Sequence, residues 1–221
     1  MFRVGSRFLA TLVATLVFPL SASAVPIGTL FNTGTGTSNV PLIGGNGTVD
    51  PHWDVISGPG ITVPIDAVTY FNGAYGADGP NSRWISSNSS GGSGAGTYVF
   101  QTMFSLSGFN PSATLITVSC GTDNLLSGAT LNGSAIATAS CTGFNPFPSG
   151  TFAINSGFNG AVNTLQFSVV DQGFPMAFRA QFISDTQPLD TTAVPEPASL
   201  LLVGTGVAGM LAKRRKNHAT R

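Results

Sequence analysis

The chain has 221 residues, 42% of them hydrophobic and only 8% charged, and its nine basic and nine acidic residues cancel. That balance conceals a partition: seven of the nine basic residues sit at the two ends, leaving residues 25–193 with Arg83 and Arg179 against eight aspartates, a net charge of −6. So few cations exclude nucleic acid as a partner, because neutralising phosphates takes clustered Lys and Arg.

In chain order, Arg3 and Arg7 precede the apolar run Phe8 to Leu20, and Ala22-x-Ala24 follows among small residues. A basic start, a short apolar run and an A-x-A site read as a secretory signal peptide over residues 1–24, cut after Ala24 and delivered by the Sec machinery. Residues 25–47, rich in Gly, Thr and Asn, read as a flexible N-terminal segment. Residues 48–185 read as one all-β ectodomain, an antiparallel β-sandwich or jelly roll, because short strand-like runs alternate with Gly, Pro and Asn and no stretch sustains a helical period.

Strands are expected at Thr97 to Leu106, which is rich in β-branched and aromatic residues although its alternation is loose, and at Ala113 to Val118. Further strands are expected at Val162 to Val169, where Leu165, Phe167 and Val169 share a face, and at Met176 to Ile183. Asn132-Gly133 marks a tight hairpin after Leu131, while Asn81 to Gly96, with its Ser/Gly run from Ser86 to Gly94, reads as a loop. Cys120 and Cys141 are the only cysteines. In an oxidising compartment such a pair is most simply one disulfide, the alternative being two buried thiols, and two cysteines alone do not make a structural zinc site.

Residues 186–193 read as a spacer. Beyond it Val194-Pro195-Glu196-Pro197 runs into the uncharged stretch 198–212 and then the block Lys213-Arg214-Arg215-Lys216. Fifteen uncharged residues make a helix of about 22 Å against a hydrocarbon core of about 30 Å, so residues 198–212 read as a short single transmembrane helix and a marginal anchor. The basic block stays on the cytoplasmic side and leaves the ectodomain outside. The glycine pattern Gly204-x-Gly206-x-x-Gly209 satisfies a dinucleotide fingerprint in letters only, since no βαβ unit surrounds it.

The order of Pro195-Glu196-Pro197, apolar stretch and basic block closely resembles the PEP-CTERM sorting signal of Gram-negative bacteria, over residues 194–217. The resemblance implies a substrate of exosortase, a membrane protease-transpeptidase that cuts the tail and releases the protein to the cell surface or extracellular matrix, often alongside exopolysaccharide production. It also implies a transient inner-membrane anchor before processing. A second resemblance rests on Pro51-His52-Trp53, Arg83-Trp84-Ile85, Gly96-Thr97-Tyr98, Thr122-Asp123-Asn124, Leu131-Asn132-Gly133 and Gly160 to Leu165. In that order these look like the landmarks of galactose-binding-like jelly rolls, over about residues 48 to 183. Related domains often bind carbohydrate, but a fold does not fix a function.

Catalytic chemistry is poorly supplied. His52 is the one histidine between the terminal segments, no Lys is present there, and G-x-S-x-G is absent. The pairs Asp50 with Asp54 and Asp123 with Asp171 are the carboxylates available to a glycoside hydrolase, and eight dispersed aspartates make some pair inevitable. No enzyme activity and no cofactor are therefore expected. A structural calcium ion has candidate ligands in backbone carbonyls and in Asp50, Asp78 or Asp123, without the D-x-D-x-D-G loop that would specify one.

Binding is better supplied. Trp53, Trp84, Tyr70, Tyr75 and Tyr98 are the aromatic candidates for a sugar platform, with Asn72, Asn81, Asn88 and Asp78 as hydrogen-bonding partners. Core packing is the competing reading for the two tryptophans, whereas Tyr75 lies in the loop-like Asn72 to Gly79 and is expected to be exposed. The expectation is an exported, non-catalytic surface or matrix protein of structural or adhesive character, with exopolysaccharide as a candidate partner; the alternative is a secreted hydrolase of matrix polysaccharide.

Overall fold

A computed structural model describes residues 25–189. The signal-peptide site Ala22/Ala24, the motif Pro195-Glu196-Pro197, the stretch 198–212 and the block Lys213 to Lys216 lie outside the described residues.

The described chain is all-β and antiparallel, with two short 3-10 turns. Its strands are β1 (Val49–Ser57), β2 (Ile65–Thr69), β3 (Ile85–Ser86), β4 (Gly96–Ser105), β5 (Leu115–Leu131), β6 (Ser134–Ile136), β7 (Thr142–Gly143), β8 (Gly150–Ile154), β9 (Val162–Asp171) and β10 (Ala177–Asp185). Hydrogen bonding follows the order β10-β3-β2-β1-β4-β9-β5, and β5 also pairs with β10, so seven strands close into a ring. Every pairing in that ring is antiparallel. An odd ring of antiparallel pairs requires one strand to reverse direction, and β5 is that strand. Its 17 residues would reach roughly 56 Å if straight. Instead its first arm, Leu115 to Asp123, pairs with β10, and its second, Leu125 to Leu131, pairs with β9. On its flanks β8 continues the first arm and β6 the second, joined through the Asn132-Gly133 turn with both residues at positive φ.

The core lies inside the ring. In β9, Leu165, Phe167 and Val169 point inward while Thr164, Gln166 and Ser168 face out, the period-two burial that a half-buried strand demands. In β4 the inward row is Tyr98, Phe100, Thr102 and Phe104, so the loose alternation of the sequence comes from a buried threonine whose hydroxyl donates to the His52 carbonyl at 2.9 Å. Trp53 occupies the centre, 1% exposed, with Phe167, Phe178 and Phe182 around it at ring separations of 5.7 to 6.0 Å. Its indole N–H reaches the Phe31 carbonyl.

Three segments differ from expectation. The N-terminal segment 25–47 forms no strand, yet it is a packed strap rather than a flexible lead-in. Ile27 and Leu30 enter the core, and Thr33, Asn32 and Asn39 replace sheet hydrogen bonds with side-chain ones to Arg83, Ala180, Phe182 and Leu30. The Ser/Gly run is a built turn around the Asn88 side chain and the Tyr98 hydroxyl, which accepts from the Ser93 N–H and donates to the Gly94 carbonyl. The spacer expected from residue 186 starts later, because Thr186 pairs with Val25, and Pro188 and Leu189 pair with the Gly108–Phe109 turn.

Cys120 and Cys141 form a disulfide with a Cα separation of 5.6 Å. Closing a loop of this size contributes roughly 3 kcal/mol in the chain-entropy account. The bridge roots segment 142–149 on β5, where Thr122 hydroxyl donates to the Cys141 carbonyl and Ser149 N–H to the Cys120 carbonyl.

Candidate functional site

Of the residues expected to carry binding chemistry, Tyr75, Asp78 and Trp84 gather outside the ring, on the outer face of β3, β10 and β5, while Trp53 lies in the main core. Strand alternation sends Ile85, Phe178 and Cys120 into the main core and turns Trp84, Ala177, Arg179, Gly121 and Asp123 outward. Loop 70–83 and segment 142–149 fold over this face and form a second, smaller core of Tyr70, Tyr75, Trp84 and Ala177 with Phe144 and Phe147. Gly121 makes the seating possible: a Cβ there would come 2.8 Å from the Trp84 ring and 3.2 Å from Phe147. Gly76 does the same on the loop, where a Cβ would lie 2.9 Å from the Phe147 backbone nitrogen.

Tyr75 is therefore buried, 4% exposed, and not a surface platform. Its ring packs against Trp84 and Phe144 at about 5 Å, and its hydroxyl donates to Asp123 Oδ2 at 2.9 Å. A loop aromatic has a packing reason to exist when the loop itself is folded back as a second layer. Trp84 is fully buried, with its indole N–H on the Gly76 carbonyl at 2.7 Å, and Trp53 belongs to the main core; neither presents a face to a ligand. Asp78 is a structural acceptor: one oxygen takes the Arg83 Nε–H at 2.8 Å and the other the Trp84 backbone N–H at 3.1 Å. Arg83 continues to the Leu42 and Gly44 carbonyls, tying strap, loop and β3 together.

Arg179 is the residue that sequence reasoning missed. It is 2% exposed, donates to the Ser82 hydroxyl and the Ala77 carbonyl, and lies 3.8 Å above the Phe147 ring centroid. Burial lowers its pKa to about 10, against the opposing pull of Asp78, so the guanidinium stays charged at neutral pH. A lone cation in the otherwise uncharged strand Ala177 to Ile183 was the available signal. The aromatic run Phe144-Asn145-Pro146-Phe147 directly after Cys141 was another.

The carboxylates resolve into separate roles. Asp50 faces inward at the start of β1, 1% exposed, and accepts from the Gly34 and His52 backbone N–H groups at 2.6 and 2.9 Å. Burial outweighs those bonds and raises its pKa to about 7. Asp54 points outward, directly opposite Asp66 on β2, and burial followed by that like charge raises it. Burial also raises Asp123, with a smaller push from Asp171 and an opposing effect of the Tyr75 hydrogen bond. Asp171 accepts from the Gly173 N–H. The Asp50 and Asp54 carboxylates named from the sequence thus have different settings, one buried on backbone N–H groups and the other half-buried opposite Asp66.

The His52 ring stacks on Phe31 at 3.6 Å, and its buried Nε2 has no hydrogen-bond partner among the described residues. Burial lowers its pKa, which keeps the imidazole neutral. Among the described residues its ring bonds to no serine, and it has the setting of a packed histidine. Among the described residues no three His, Cys, Asp or Glu side chains gather as a metal cluster. The calcium candidates Asp50, Asp78 and Asp123 each bind a different part of the protein.

An open concavity lies elsewhere. A cleft of about 310 Å³ is lined by Pro111, Ser112, Asn155, Ser156, Gly157 and Phe158, at the end of the ring where β4 and β10 finish. It holds no charged residue. The Ser112 and Ser156 hydroxyls and the Asn155 amide make no hydrogen bond to the described protein, in contrast to the Tyr75 hydroxyl and the Asp78 and Arg179 side chains of the outer layer.

Comparison with protein families matches the model of the PEP-CTERM protein-sorting motif to residues 193–216. The chain carries a PEP-CTERM sorting signal. The match spans the Pro195-Glu196-Pro197 motif and ends at the last residue of the basic block, Lys216. A protein with a PEP-CTERM signal is exported and processed by an exosortase, and the all-β domain described above is what this one exports. No curated protein and no solved structure matches the chain.

Proposed function

We propose that this PEP-CTERM protein is a non-catalytic structural or adhesive component of the surface or extracellular matrix of a Gram-negative bacterium. It is delivered by Sec, held transiently in the inner membrane by residues 198–212, and released by exosortase. Carbohydrate is the ligand class, with exopolysaccharide as the polymer and the Pro111 to Phe158 cleft as the point of contact. The observation that carries the reading is how the reactive side chains are used. Tyr75, Asp78, Asp123, Arg83 and Arg179 are each bound to protein partners that hold loops down. What the cleft offers is neutral: hydroxyls, an amide, a proline and the Phe158 ring, the mixture that suits a sugar's hydroxyls and C–H faces.

Co-sedimentation of the exported, processed protein with the host's own exopolysaccharide tests this, with reducing ends assayed in the same tube. Sedimentation without release of reducing sugar is expected, and Asn155→Ala should weaken it while leaving the melting temperature in place. Release of reducing sugar would replace the adhesive reading with a hydrolase. No sedimentation of the wild type would remove carbohydrate from the assignment.

A further inference from the structure

Both ends of the described chain leave the domain at the same place. Val25 and Thr186 exchange backbone hydrogen bonds at 3.0 and 3.2 Å, and the Thr114 and Thr186 hydroxyls meet at 2.8 Å. Asn110 N–H then donates to the Gln187 carbonyl, and Leu189 N–H to the Gly108 carbonyl, each at 2.8 Å. Thr29 binds the end of β4 at Ser105, and Leu106 N–H donates to the Ala161 carbonyl just before β9. The ends of β4 and β10, the starts of β5 and β9, and the cleft therefore form one base of the ring.

The remaining tether is short. Only residues 190–197, eight in number, separate Leu189 from the apolar stretch, and fully extended they reach at most about 29 Å. A domain of this length has a radius of gyration of about 15 Å and hence a breadth of about 40 Å. The tether is too short to let the domain turn its far end to the bilayer, so the base stays toward the membrane while the tail is inserted.

The base carries five of the twelve large apolar side chains exposed among the described residues. Met103, Leu115, Val162, Ile183 and Leu189 are large apolar side chains that are 41% to 67% exposed there. Register makes them pairs: Met103 lies opposite Thr164 and Val162 opposite Ser105, which puts the two side chains on one diagonal of the outer face, and Leu115 and Ile183 are related in the same way across β5 and β10. The two cations of the described domain, Arg83 and Arg179, both belong to the outer layer, and the charge at the base is Asp185.

We propose that this base is a lipid-docking surface, seating Met103, Leu115, Val162, Ile183 and Leu189 against the interface of the bilayer that holds the tail before sorting. It rests on the reading of residues 198–212 as an anchor. The contact is apolar and not electrostatic, so it takes a neutral, zwitterionic surface and withstands salt, unlike a polybasic attachment. It also brings Pro195-Glu196-Pro197 close under the domain, where a membrane-embedded protease works.

The test uses the full chain reconstituted in phosphatidylcholine vesicles with brominated acyl chains. The native disulfide is left intact, and a polarity-sensitive fluorophore is placed on Met103→Cys or Ile183→Cys at the base, or on Val63→Cys beside β2 at the opposite end. The base probes should shift to the blue and lose fluorescence several-fold, unchanged by raised salt, while the Val63→Cys probe should not respond. Vesicle flotation is read in parallel. Protein that floats with unquenched base probes, or with equal quenching at both ends, would overturn the docking surface and leave the anchor in place. Protein that does not float would overturn the anchor and the docking surface with it. Base probes shielded without lipid, in a dimer seen by light scattering, would assign the surface to a second copy instead.

Discussion

The interior of the ring and the layer outside β3, β10 and β5 are both built around a buried tryptophan, yet they are held by different forces. Trp53 sits among phenylalanines, and what it contributes scales with area removed from water. Trp84 sits among a tyrosine hydroxyl, a carboxylate, a guanidinium and a carbonyl, each of which is affordable inside only because another satisfies it. The first kind of core tolerates loss of a contact in proportion to the volume lost. The second fails wherever one partner leaves another buried and unpaired.

Trp53→Ala should show the area-driven side at its largest, at a cost of about 3 to 5 kcal/mol, read as a lower denaturation midpoint in guanidinium. If the ring core is as continuous as its contacts, near-UV circular dichroism should collapse in one transition together with the far-UV signal. A separate early loss would show that the two cores unfold independently.

Asp50 sharpens the contrast, because it is a polar group placed within the area-driven region. Its pKa rises from 3.8 to about 7 on folding. The folded state therefore binds the proton more tightly than the unfolded one, and the stabilisation is complete below about pH 4 and lost as pH passes about 7. At 1.36 kcal/mol per unit the swing amounts to about 4 kcal/mol as an upper figure. Urea midpoints measured across this window should fall as pH rises, with the decline flattened in Asp50→Asn. A wild-type profile that rises instead would break the reading that burial raises the Asp50 carboxyl.

Tyr75→Phe is the smallest and the most specific. Removing one hydroxyl leaves Asp123 buried without its donor, at a cost of about 1 to 3 kcal/mol. Thermal melts should drop while co-sedimentation with polysaccharide stays unchanged, the opposite of what an exposed sugar platform would give. Unchanged melts with lost sedimentation would restore Tyr75 as a binding residue.

What could be read in advance followed periodicity and punctuation. Leu165, Phe167 and Val169 announced β9, Asn132-Gly133 announced the hairpin of β5 and β6, and the isolated Cys120 and Cys141 suggested a bridge. The N-terminal strap was illegible because side-chain hydrogen bonds from Thr33, Asn32 and Asn39, not a repeating pattern, hold it. Tyr75 was misplaced for a related reason: a Gly-rich loop looks solvated unless the flat spot that receives it, here Gly121, is known.

The sequence by itself determined the all-β class, the sorting signal with its Pro195-Glu196-Pro197 motif, and the scarcity of charge, because these depend on composition, short-range order and local periodicity. Only the tertiary structure decided that β5 reverses to close the ring, that Arg179 and Asp123 are buried outside it, and that the tail leaves beside Val25 at a single base. Those are properties of residues far apart in the chain, Val25 with Thr186, Tyr75 with Asp123 and Ser82 with Arg179, and no local pattern records which distant partner satisfies a buried group.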